Sequence, residues 1–246
     1  MSDSPSLAGR TVILTRARED AAGWARRLEE LGAHALVLPC IEVEVFHDAQ
    51  TAARLTAALE GAQWLLLSSP RGVGAVAGLV TSLPATVNVA VVGPATARRA
   101  AEWLAAPRLV APGGSARSLG ESLAAHLGEA PATIVTALAQ GGRTDAVEIL
   151  RHRGHVVTTV EVYATRPHPR KDPPDDLRHL DRPLVFLASP SAARGLIQRA
   201  RLPTSARIIT IGPTTTAAAR ELGLSVTAEA TGRSLNDLVA AAARVS

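Results

Sequence analysis

The chain matches itself twice, with the halves in swapped order. Residues 65–80 (LLLSSPRGVGAVAGLV) return about 120 places later as residues 185–200 (VFLASPSAARGLIQRA), and VAVVGPATARRAAEWL at 89–104 returns as IITIGPTTTAAARELG at 208–223. Leu67, Ser69 and Pro70 recur as Leu187, Ser189 and Pro190, Gly93-Pro94 as Gly212-Pro213, and Arg117-Ser118-Leu119 as Arg233-Ser234-Leu235. A second match starts earlier: Thr11 to Leu38 aligns, 122 residues on, with Thr133 to Val160. One copy is therefore whole and the other is split around it. Solenoids need several stacked repeats, and two copies imply two similar domains instead.

The expected boundaries follow. Residues 1–40 and 167–246 form a discontinuous outer α/β domain, 47–159 an inserted α/β domain, and 41–46 with 160–166 two linker strands running side by side. Such a layout favours a ligand held between domains.

Strand-like runs sit at matching places: TVILTR (11–16), HALVLP (34–39), PLVFLA (183–188), RIITIG (207–212) and SVTAEA (225–230) in the outer domain; WLLLSS (64–69), NVAVVG (88–93), RLVAP (108–112), TIVTAL (133–138) and HVVTTV (155–160) in the inserted one. Apolar, β-branched strands separated by amphipathic helices predict parallel sheets covered on both faces. Five strands per domain predict a flavodoxin-like order. Alternating IEVEVF (41–46) and VEVYAT (160–165) supply the linkers, and RPHPRKDPPDD (166–176) reads as a loose loop.

Composition removes several function classes. Phe, Trp and Tyr number 2, 3 and 1, too few for the aromatic platforms on which nucleic acids stack. A net charge of +4 and a pI near 10.4, with arginine preferred, point to a small anionic partner. Cys40 has no second cysteine to pair with, and the 7 His show no ligand spacing, so neither a disulfide nor a metal is expected. The N-terminus lacks the apolar core of a signal peptide, and no run approaches the ~20 apolar residues of a membrane span, so a cytoplasmic protein is expected, and it is taken as a monomer.

Chemistry in such sheets belongs at the carboxyl ends of strands. Ser69-Pro70, Ser189-Pro190, Gly93-Pro94 and Gly212-Pro213 each end a strand and open a helix. Each predicts an N-terminus whose free backbone N–H groups suit an anion, with Thr96, Thr214 and Thr215 adding hydroxyls, against the plainer reading that Ser-Pro and Gly-Pro simply start helices well. Gly72, Gly74 and Gly78 imitate a dinucleotide fingerprint. The acidic residue required after the next strand is missing, and the repeat copy has Ala192, Arg194 and Gln198 there, which argues against a nucleotide cofactor. Gly113-Gly114-Ser115 lacks the lysine of a P-loop and reads as a turn.

Taken in order, TVILTR, SSPRG, VVGPAT, the GGR loop at 141–143, VEVY at 160–163, ASPSA and IGPTTTA resemble the uroporphyrinogen-III synthase family across nearly the whole chain. The resemblance implies a cofactor-independent cyclising lyase of tetrapyrrole (heme, cobalamin) biosynthesis. Its substrate, hydroxymethylbilane, would lose its terminal hydroxyl as water, invert the last ring through a spiro intermediate and close. The resemblance places the family's tyrosine at Tyr163, the proposed donor to the departing hydroxyl, a task suited to a phenol O–H. It makes Ser69, Arg71, Thr96, Ser189, Thr214 and Thr215 carboxylate-binding candidates, with Arg143 in the glycine-arginine loop and Arg16 ending the first strand. Leu138-Ala139 stand where the family often has Arg-Gly, which weakens the expectation of contact from that loop. Thr216, where Ala is usual, reads as incidental. The competing reading is a non-enzymatic two-domain anionic-ligand-binding protein or regulator.

Overall fold

The structure is a computed structural model that describes residues 7–112, 114–232 and 234–245. Gly113 of the expected turn, Arg233 of the repeated Arg-Ser-Leu and most of the N-terminal stretch read for a leader lie outside the described residues.

In chain order the elements are β1 (Thr11–Leu14), α1 (Arg18–Glu30), β2 (His34–Val37), β3 (Ile41–Val45), α2 (Ala49–Leu59), β4 (Trp64–Leu67), α3 (Pro70–Leu79) and β5 (Asn88–Val92). They continue through α4 (Gly93–Trp103), β6 (Leu109–Ala111), α5 (Ala116–Leu127), β7 (Thr133–Ala139), α6 (Asp145–His152) and β8 (Val156–Pro167). The chain closes with β9 (Asp175–Asp176), β10 (Leu184–Leu187), α7 (Pro190–Arg199), β11 (Ala200–Arg201), β12 (Arg207–Thr210), α8 (Pro213–Glu221), β13 (Val226–Glu229) and α9 (Leu235–Ala243). The chain divides into two compact units, Met1–Val43 with Thr165–Ser246, and Glu44–Ala164.

The split unit is a five-stranded sheet ordered β13-β12-β10-β1-β2, with every pairing parallel. Its strands alternate between two cores because successive side chains point to opposite faces. Val12, Leu14, Leu184 and Phe186 join Leu235, Leu238 and Val239 of α9 on one face. Ile13, Val185 and Leu187 join Ala192 and Leu196 of α7 on the other. Both faces are dry, which is why these strands read as unbroken apolar runs.

The continuous unit holds β8-β7-β4-β5-β6, again parallel, with β3 added beside β8. Trp64, Leu66, Ile134 and Ala90 pack with Leu119 and Leu123 of α5 and Leu150 of α6. Numbered by its own strands, the split unit has the flavodoxin order 2-1-3-4-5 and the continuous unit 3-2-1-4-5 once its first strand is taken as β4. Strand for strand the two orders correspond, since β7 and β8 occupy the places of β1 and β2, and β4, β5 and β6 those of β10, β12 and β13.

Three local expectations change. HVVTTV and VEVYAT are one continuous strand, β8, because the edge offered by β3 lets pairing run on beyond β7. The continuous unit's sheet consequently has six strands where five were expected. The 166–176 stretch is also partly ordered: Asp175–Asp176 pairs in parallel with Ala200–Arg201.

Candidate functional site

In a doubly wound sheet a crevice opens where strand order reverses, outside the carboxyl ends of the two strands involved. In the continuous unit those strands are β4 and β7, and in the split unit β1 and β10. Ser69 follows β4, the 141–143 loop follows β7, Arg16 follows β1 and Ser189 follows β10.

Ser69 is the N-cap of α3. Its extended backbone and short hydroxyl let Oγ accept the Gly72 N–H at 3.0 Å, while Pro70 fills a position that needs no donor. Tyr163 lies on β8, with β7 between it and β4. The β7–β8 register slips between Leu138 and Ala139, so that Ala139 faces Tyr163 and Val162 is skipped. Such a slip bends the strand and re-aims the next side chain. It gives three successive buried residues, Val162, Tyr163 and Ala164, where strict alternation would expose the middle one. Tyr163 is 9% exposed, and its Oη lies 3.2 Å from Ser69 Oγ.

The 141–143 loop is a tight reversal. Gly141 takes φ 63°, and the Gly142 N–H bonds back to the Ala139 carbonyl at 2.8 Å, so close that a Cβ on Gly142 would also fall 2.8 Å from that oxygen. Glu161 Oε1 accepts the Gly141 N–H at 3.0 Å and ties the loop to β8. Arg143 lies at the end of this turn, and Arg71 is half-buried in the first turn of α3. Thr96 is buried in the first turn of α4, which begins at Gly93 (φ 68°) and has no side-chain cap. Gly72, Gly74 and Gly78 lie along α3, inside a helix and not in a phosphate loop.

In the split unit Ser189 repeats the capping geometry, accepting the Ala192 N–H at 3.1 Å. Thr214 is exposed and Thr215 buried in the first turn of α8, where Gly212 offers no side-chain cap and its carbonyl takes the Thr215 and Thr216 N–H groups, each at 3.0 Å. Arg16 is already engaged: its guanidinium lies 4.1 Å from the Trp24 ring centroid and 3.6 Å from Asp20, and burial holds its pKa below the ordinary arginine value. Thr216 is not incidental. Its hydroxyl is 2.6 Å from Thr210 Oγ1 and donates to a Glu229 carboxylate oxygen, joining α8 to β12 and β13. Its spacing from Thr210 and Glu229 carries no helical or strand period, so only the fold brings the three together.

The structure thus brings Ser69 and Tyr163 into direct contact and sets the other candidates along the carboxyl ends of their own sheets. Among the described residues no group of three or more His, Cys, Asp or Glu could hold a metal ion, and no helix is long and apolar enough to cross a membrane. This defines a duplicated, doubly wound α/β protein with polar groups along the carboxyl ends of both sheets and a phenol beside the serine cap in one of them. A family model described as "Uroporphyrinogen-III synthase HemD" matches residues 22–240, so the chain belongs to the uroporphyrinogen-III synthase family. A uroporphyrinogen-III synthase of Synechococcus elongatus is 27% identical over 98% of this chain and 97% of its own length. Two solved structures share the fold. The uroporphyrinogen-III synthetase of Helicobacter pylori 26695 has a TM-score of 0.65 at 14% identity, covering 96% of this chain and 100% of that one. A mutant uroporphyrinogen III synthase from the extremely thermophilic bacterium Thermus thermophilus has a TM-score of 0.53 at 19% identity, covering 96% and 98%.

Proposed function

We propose that this chain converts hydroxymethylbilane to uroporphyrinogen III, releasing one water and inverting the terminal ring. The observation that carries the chemical step is the chain's one tyrosine, held at the carboxyl edge of its sheet with Oη 3.2 Å from Ser69 Oγ. Loss of hydroxide from the bilane is unfavourable at neutral pH. A proton delivered from Tyr163 as the C–O bond breaks converts the leaving group to water. The carbocation left behind is stabilised by its pyrrole nitrogen, and the electron-rich substituted carbon of the last ring attacks it, giving the spiro intermediate. The bond from that carbon to its old bridging carbon then breaks, the ring's unsubstituted α-carbon bonds to the bridging cation so released, and the proton that this carbon loses on rearomatising restores the phenol.

Binding falls to groups suited to carboxylates: Arg71, Thr96 and Arg143 in the continuous unit, and Ser189, Thr214, Thr215 and the remaining donors of Arg16 in the split one. Ser69 stands at a helix start of the same kind, but its hydroxyl faces the phenol. Each helix start adds backbone N–H groups and the positive end of its dipole. We take the enzyme to act as a cytoplasmic monomer, without nucleic acid or cofactor.

The test is incubation with freshly prepared hydroxymethylbilane and separation of the type I and type III products. Left in solution, the bilane closes without inversion. Type III product in proportion to protein supports this reading, and a binding protein or regulator would leave type I alone.

A further inference from the structure

We propose that Ser69 is a positioning residue for the phenol: its oxygen takes the Gly72 N–H, and its own proton goes to Tyr163 Oη. The tyrosine's proton is then left free to point at the substrate. This deepens, and rests on, the assignment of proton donation to Tyr163.

Geometry and the repeat both support it. Ser69 Oγ accepts from Gly72 N–H at 3.0 Å and lies 3.2 Å from Tyr163 Oη. A hydroxyl carries one proton, and this oxygen, already accepting at the positive end of α3, becomes a better donor and a poorer second acceptor. The phenol oxygen is the partner within reach. As the phenol gives up its proton, charge grows on Oη, and a hydrogen bond to that oxygen strengthens. The balance is simple: the phenol proton moves to the departing hydroxyl, the serine proton stays on Oγ, and no other group is oxidised or reduced.

The repeat supplies an internal control. Ser189 caps α7 in the same way, at 3.1 Å from the Ala192 N–H, yet the second repeat offset, carried three residues past the end of its match, sets Ile41 against Tyr163. Helix capping is thus common to both units, while the serine–phenol contact belongs to the continuous unit. Capping by itself therefore does not explain why a tyrosine stands at 163.

The experiment separates the hydroxyl from the cap. Ser69→Gly removes the hydroxyl at little cost to helix α3, because glycine is a fair N-cap, and Ser69→Thr keeps both. We expect Ser69→Gly to lower kcat for type III product about tenfold with KM within about twofold, and to raise the share of type I product. Ser69→Thr should restore parental values. With one tyrosine in the chain, the near-ultraviolet absorbance of the phenolate reports Tyr163 alone. Its alkaline transition should move upward in Ser69→Gly and stay at the parental position in Ser69→Thr and Ser189→Ala. A Ser69→Gly protein with raised KM and intact kcat would make Ser69 a substrate ligand and overturn the proposal, as would an unmoved phenolate transition. The titration needs no substrate, so a parent protein that forms no type III product would sink the reaction assignment while the hydrogen bond is still decided.

Discussion

The role proposed for Tyr163 is the most specific at the residue scale. Tyr163→Phe keeps the ring that fills the space beside Ser69 and removes the proton, so kcat should fall by about a hundredfold, within the usual range for general acids, while KM changes little. Slowed chemistry should leak type I product, and full turnover with pure type III product would leave the tyrosine a packing residue. Cys40 gives a second residue-scale prediction. Burial pushes its thiol up to about 12 from 9.0, with Arg199 opposing and Asp175 reinforcing the shift. The folded state therefore holds this proton more tightly than the unfolded chain. Its contribution to stability is complete below about pH 9 and is lost as pH climbs toward about 12. The native thiol should resist alkylation at about pH 8 and react fully in denaturant, and rapid labelling of the folded protein would contradict this. At this scale the two helix caps were legible in the Ser-Pro pairs. The sequence was silent on the β7–β8 slip that turns Tyr163 toward Ser69, because the slip depends on two strands pairing out of step and neither strand shows it alone.

At the scale of elements, helix α7 lies so close to the turn after β2 that a Cβ on Gly195 would fall 1.7 Å from the Cys40 carbonyl oxygen. That carbonyl also accepts the His168 N–H at 2.8 Å, so it is held in place. Gly195→Ala should cost about 3 kcal/mol of stability, read by urea denaturation, and a variant with an unchanged midpoint would show that the helix moves away freely. The Thr210–Thr216–Glu229 bonds give a second case. Thr216→Val keeps the shape and leaves buried Thr210 Oγ1 with only its 3.5 Å bond to the Ala228 carbonyl, while exposed Glu229 turns to water, at a cost of about 1–2 kcal/mol. Hydrogen exchange should then rise over 207–230 and stay unchanged over 64–67. Equal loosening of both segments would mean that the hydroxyl knot is not local. Neither feature could be read in advance. The repeat places Ala75 opposite Gly195 and Ala97 opposite Thr216, so both are particular to the split unit, and a close approach leaves no periodic trace. The strands themselves were legible because both faces of each sheet are covered, which writes an unbroken apolar run into the chain.

For the whole molecule, the swapped halves explain how corresponding sheets arise from two chain orders. β7 and β8 come last in their unit and β1 and β2 come first in theirs, yet each pair flanks the same kind of switch point. The serine cap recurs beside both, and the phenol is added to one. The proposed carboxylate binding is distributed because the duplication repeats its helix starts. Ser189→Ala should lower kcat/KM by less than about tenfold, because neighbouring N–H groups and water replace one hydroxyl, and complete loss with folding intact would make Ser189 indispensable. The central claim is that this chain directs ring inversion and does more than hold a polyanion. It is tested most directly by the isomer ratio formed from hydroxymethylbilane at saturating enzyme. The account predicts uroporphyrinogen III almost to the exclusion of type I, with Tyr163→Phe shifting the ratio toward type I, and type I product alone from the parent protein would contradict it.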